Sequence, residues 1–108
     1  MTVYVDDMLR QFGGFLMSHM MADTDEELHA MATLIGLKRS WWQPPNKGGS
    51  HYDISQTMKA KAIQHGAVSV TQRQLAAMNA RRKVLDSLGN PDDAIEWLRG
   101  YAVARKGD

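Results

Sequence analysis

The chain has no cysteine. That excludes disulfides, thiolate metal sites and cysteine nucleophiles, and it fits a reducing setting such as the cytoplasm. The opening MTVYVDD has neither a basic nor an apolar signal region, so no secretory signal is expected. The longest apolar run, FLMSHMMA, is far too short to span a bilayer. Repeats, low-complexity tracts, a P-loop, GxGxxG, GxSxG, HxH and HExxH are all lacking.

What is present suits one small domain. At 108 residues and 44% hydrophobic content the chain can close a single core. Residues 1–89 are expected to form an α/β core domain and 90–108 a helix packed on it. The net charge of +1 argues neither for nor against nucleic acid, but charge is unevenly spread. Asp6, Asp7, Asp23, Asp25, Glu26 and Glu27 crowd the first third, and Lys38, Arg39, Lys47, Lys59 and Lys61 the middle. The pattern reads as dispersed surface charge or as an acidic segment facing a basic one across a cleft. ARRK (Ala80–Lys83) is too short, and too well balanced by Asp86, to argue for DNA binding.

Periodicity gives the elements. TVYVD (Thr2–Asp6) is β-branched and aromatic, and Phe15–Ala22 is an apolar run bounded by glycines; both read as strands, with Met8–Gly14 a loop. DTDEELHAMATLIG is a helix: Thr24 and Glu27 fit a capping box, Leu28, Met31, Ala32 and Ile35 make the buried stripe, and Gly36 stops it. Pro44-Pro45 and Gly48-Gly49 forbid regular structure through most of the following stretch. HYDI and AVSV read as short strands around a helix from Ser55 to Gly66. Thr71 and Gln74 cap a helix to about Leu88, with Leu75, Met78, Arg82 and Leu85 near one face. Asn90-Pro91 opens the last helix. The expected fold is a small α/β sandwich: a mixed sheet of about four strands, ordered ββαβαβαα, ending in an αα-hairpin. Strand–helix–strand units cross over into parallel pairs, so the second to fourth strands should be parallel and the first antiparallel to the second.

Ligands gather beyond the carboxyl ends of parallel strands, which would bring Asp23, Asp53 and the Trp41–Ser50 loop to one edge beside His51 and Tyr52. Lys38, Arg39, Lys47 and the two tryptophans could stack a base and hold its phosphate. His19, His29, His51 and Asp53 offer nitrogen and oxygen donors for a divalent metal. Asp53 could equally cap a helix, Tyr52 belong to the core, and His19 be a satisfied strand residue. Met17, Met20, Met21, Met31 and Met58 read as core filling, and Asp6 and Asp7 as solvated turn residues.

VYVDD, SHMMADTDEELHAMATLIGL, WWQ, HYDIS and HGAVSVT, in this order and spacing, resemble the small bacterial and phage proteins grouped as domain of unknown function 4031. The resemblance runs from about Thr2 to Arg82 and leaves the final helix outside. It implies a compact cytosolic protein and carries no established activity. The matching polar positions are Asp6, His19, Asp23, His29, His51, Tyr52 and Asp53.

Three readings stay open. One is a non-enzymatic binder of a small polar or anionic, nucleotide-like ligand, acting by sequestration, with Arg39, Trp41, Trp42, Lys47, His51, Tyr52 and Asp53 as its site and a homodimer as its form. The second is a metal-dependent hydrolase using His19, His29, His51 and Asp53. The third is a protein-interaction or inhibitor module built on the C-terminal helices.

Overall fold

The computed structural model describes residues 2–106. Met1 and residues 107–108, the outer ends of the two expected segments, lie outside the described residues. The strands are β1 (Val3–Val5), β2 (Arg10–Phe12), β3 (Phe15–Ala22), β4 (Tyr52–Ser55) and β5 (Val68–Ser69). The helices are α1 (Asp25–Ile35), α2 (Gln56–Gln64), α3 (Gln72–Leu85) and α4 (Pro91–Lys106). The result is an open, mixed five-stranded sheet with helices on both faces, and α3 and α4 packed together. Among the described residues no helix is long and apolar enough to cross a membrane.

The apolar run FLMSHMMA is the organising strand. β1 and β2 pair antiparallel with β3 in succession, and β4 pairs antiparallel with it as well. β2 was expected to be loop. Gly13-Gly14 makes a two-residue hairpin turn instead, with Gly13 at φ 60 and Phe12 opposite Phe15. The expected parallel run of strands is also corrected. The residue 37–50 segment carries the chain far enough after α1 for β4 to enter beside β3 antiparallel. Only β4–α2–β5 obeys the parallel crossover, and it skips two strands so that β5 pairs parallel with β1.

Strand alternation divides the core in two. Val3, Val5, Met20, Ala22, Tyr52 and Ile54 face α1 and α2, meeting the predicted stripe of Leu28, Met31, Ala32 and Ile35. Tyr4 and Met21 face the other way, onto Leu75 and Met78 of α3 and Ala94 of α4. Burying each large aliphatic side chain contributes about 1.5–3 kcal/mol. The α3–α4 layer gathers on the β1 and β5 side of its face, and leaves His19 and Asp53, farther along the sheet, partly open to solvent.

Details at the helix ends depart from expectation in two places. Thr24 accepts from the Glu27 N–H, but the Glu27 carboxylate accepts from the Thr2 N–H rather than closing the box. α3 ends at Leu85, because Asp86 takes the left-handed conformation at φ 61. Its buried face is Leu75, Ala77, Met78 and Arg81, whereas Leu85 is exposed. The buried Arg81 donates to Leu88 O, Asn90 O and the Asp93 carboxylate, which ties α3 to the start of α4.

Candidate functional site

Residues two apart on a strand share a face, so His51 and Asp53 project together from the β4 segment. Register places His19 of β3 directly opposite Asp53. Asp6 continues the row on the far side of His19, with its N–H bonded to His19 O at 3.1 Å. Three chain segments thus line up Asp6, His19 and Asp53 on one face, with His51 beside them. The edges of the His19 and His51 rings approach with centroids 5.4 Å apart.

Each histidine has one ring nitrogen already engaged. His19 Nδ1 lies 2.8 Å from Asp6 Oδ2, where the imidazole donates and the carboxylate accepts. The other Asp6 oxygen accepts from the His19 backbone N–H at 2.8 Å and the Met8 N–H at 3.3 Å. Asp6, expected in a solvated turn, is therefore 1% exposed. It sits where β1 breaks from β2, and its carboxylate stands in for the missing ladder partner. His51 Nδ1 donates to Gly49 O at 2.6 Å. These bonds leave both Nε2 atoms turned toward Asp53 Oδ1, at 3.9 and 3.5 Å, where a protonated ring donates to that carboxylate and a neutral one offers a lone pair.

The electrostatics follow. The hydrogen bond that His19 donates to Asp6 holds the His19 pKa above the ordinary imidazole value against the effect of burial, with help from the Asp6 and Asp53 charges. The His51 hydrogen bond, then the charges of His51, His19 and Arg10, hold Asp53 below the usual carboxylate value despite partial burial.

His19, His51 and Asp53 each offer one donor atom, and these atoms lie within 4.8 Å of one another. Donors about 2.1 Å from a tetrahedral zinc ion stand roughly 3.4 Å apart, so a small inward movement would close the set. A histidine ligand whose second nitrogen is held by a carboxylate or a carbonyl is the usual support for a metal site. Asp6 and Gly49 supply one of each.

The loop that presents His51 is fixed from several sides. Gln43 and His51 exchange two backbone hydrogen bonds, at 2.8 and 3.0 Å. Ser50 Oγ donates to Asp25 at 2.6 Å and accepts from Trp42 Nε1 at 2.9 Å. Asn79 donates to Gly48 O at 2.8 Å. Arg82 donates to Ser50 O, Ala22 O and Asn79 Oδ1, and burial lowers its pKa. Gly49 sits at φ 107, and a Cβ there would collide with the Asn79 side-chain amide.

The remaining expected site residues divide. Tyr52 points to the opposite face and is fully buried, its hydroxyl 2.8 Å from His29 Nδ1. His29 also meets Trp42 edge-on, and Arg39 lies over the Trp42 ring. Burial, then the Arg39 charge, lowers the His29 pKa, and burial raises that of Tyr52. Arg39, Trp42, His29 and Tyr52 are thus a second cluster, apart from His19 and Asp53. Trp41, Lys47 and also Trp42 border a cavity that reaches Asp53. Asp23 is exposed and does not join the set. Sequence reasoning missed the roles of Asp6, Arg10, Asn79 and Arg82. Only Asp6 left a usable signal, as it shares the alternation of Tyr4.

The chain belongs to the family described as protein of unknown function (DUF4031), whose model matches residues 3–82. Asp6, His19, Gly49, His51 and Asp53 all fall inside that span. No curated protein and no solved structure matches the chain.

Proposed function

We propose that the protein is a metal-dependent hydrolase with His19, His51 and Asp53 as ligands of one zinc-type divalent cation. The observation that supports this most is the convergence of three donors whose two imidazoles are already oriented by partners of their own. Three protein ligands leave further coordination positions for water and substrate, as in catalytic rather than structural zinc sites. A zinc ion held by these residues would supply a Lewis acid that brings the pKa of a bound water to near 7. Asp6 would keep the His19 Nε2 lone pair aimed inward and make that ring a better ligand. Gly49 O would do the same for His51. His29, first grouped with these ligands, pairs with Tyr52 instead and is left out of the set.

The test is calorimetric titration of metal-stripped protein with Zn2+, repeated on His51→Ala and Asp53→Ala. One ion per chain, with each variant weakened about tenfold or more, is the expected result. Hydrolysis of an activated 4-nitrophenyl ester should be lost on chelation and return with zinc. Absence of any saturable zinc binding sinks the proposal.

A further inference from the structure

A cavity of about 870 Å3, a size suited to a small organic molecule, reaches the candidate metal ligands at Asp53. Its walls are largely apolar. The β2–β3 hairpin supplies Phe12, Phe15 and Met17, and the loop after α1 supplies Trp41. Phe12 and Phe15 stand opposite each other at the hairpin tip and are 73% and 65% exposed. Two phenylalanines left open to water beside a cavity are surface that a ligand would cover.

The charge on the walls is selective. Among the described residues the charged groups lining the cavity are Arg10, Lys47 and Asp53. If Asp53 holds the metal, what remains for a ligand is positive. Arg10 lies across from Met17, two residues from His19 along β3, and lines the cavity together with Asp53. A guanidinium so close to the metal ligands is suited to hold an anion at the reacting centre. In a hydrolase that anion must carry the bond to be cut. A carboxylate offers no such bond, whereas a phosphate ester does.

We propose, resting on the hydrolase reading above, that the substrate is a small phosphate monoester with a flat apolar body. Its phosphate lies between Arg10 and the ligand set, and its body lies on Phe12, Phe15 and Trp41. Lys47 faces the outer end. Water's oxygen bonds to phosphorus, and the ester P–O bond breaks with its electron pair on the leaving oxygen. One of water's protons ends on that oxygen. One ester and one water give one alcohol and one inorganic phosphate.

The experiment uses the full chain, zinc-loaded and chelator-treated, with phenyl phosphate, inorganic phosphate, phenol and benzoate as probes. Phenyl phosphate should bind the metal-free chain at least about tenfold more tightly than phosphate or phenol, because charge and apolar wall each contribute about 1.4 kcal/mol or more. Benzoate should bind and remain intact. Arg10→Met and Phe12→Ser change exposed residues and should keep the melting temperature, yet each should weaken phenyl phosphate about tenfold. The zinc-loaded chain should release phosphate from it. Equal affinity for phenol and phenyl phosphate, or unchanged binding in both variants, overturns the assignment. So does a zinc-loaded chain that cuts a neutral ester but not phenyl phosphate. Phenyl phosphate binding with these selectivities in a chain that takes up no zinc would sustain the pocket assignment and overturn the hydrolase reading alone.

Discussion

The Asp6 carboxylate holds His19 twice across the break between β1 and β2. One carboxylate oxygen takes the His19 backbone N–H and the other takes its ring Nδ1, both at 2.8 Å. A single side chain thereby repairs the strand ladder and sets the imidazole tautomer. Asp6→Asn keeps one acceptor oxygen but cannot serve both donors. Zinc affinity should fall about 10–100-fold, as for other residues that orient a metal ligand. Titration calorimetry alongside circular dichroism separates that loss from unfolding.

Zinc should also stabilise the fold. At a free concentration about a hundred times Kd, binding adds about 2.7 kcal/mol, which for a chain of this size raises the melting temperature by roughly 10–20 °C. Thermal melts with and without chelator read this directly. His19→Ala should remove the difference between them.

Tyr52→Phe tests the separation of the two clusters. It removes the hydroxyl bonded to His29 and should lower stability by about 1 kcal/mol, read as a shift in the urea midpoint. Zinc affinity should stay within twofold of wild type. A large loss of zinc binding would mean that Tyr52 acts on the site after all.

His29 gives a pH dependence with a definite sign. Burial lowers its pKa in the folded chain, so the unfolded chain takes up its proton first as pH falls. The stability held by neutral His29 is complete above the ordinary histidine value of about 6.5 and drains away as pH drops through the lower folded value. The difference in urea midpoint between wild type and His29→Gln should therefore change between pH 7.5 and 5, with wild type losing ground in acid. A difference independent of pH would show that His29 titrates normally.

Gly49→Ala should strain the loop that presents His51. The left-handed backbone and the clash with Asn79 together should cost on the order of 1–3 kcal/mol and loosen zinc binding. Pairing it with Asn79→Ala removes the clash but not the backbone strain, so the double variant should recover only part of the loss in a thermal melt.

Much of the fold could be read from local chemistry. The α1 stripe, the Gly36 stop and the Thr71–Gln74 capping box all stand where short-range rules put them. So does the full span of β3. What could not be read is which strands are neighbours, since that depends on how the residue 37–50 segment returns the chain. With β4 taken as parallel, His19 and Asp53 had no reason to face each other, and Asp6 sat at the wrong edge. The donor set was half legible: three of the four candidate metal ligands converge, but His29 was indistinguishable from them by spacing. Its partner, the Tyr52 hydroxyl, lies 23 residues away. Arg81 was missed because a guanidinium on a buried helix face is accommodated here by Leu88 O, Asn90 O and the Asp93 carboxylate, acceptors that no periodicity announces.

That same arginine ties the family segment to the sequence that follows it. The family match stops at residue 82, one position after a buried cation whose acceptors, Leu88 O, Asn90 O and Asp93, all come later in the chain. The packing of this guanidinium therefore depends on residues beyond the matched segment. A relative that shares the matched segment but continues with unrelated sequence must either bring its own acceptors for this guanidinium or replace it. Position 81 is the place where grafting the segment onto a foreign tail would first go wrong.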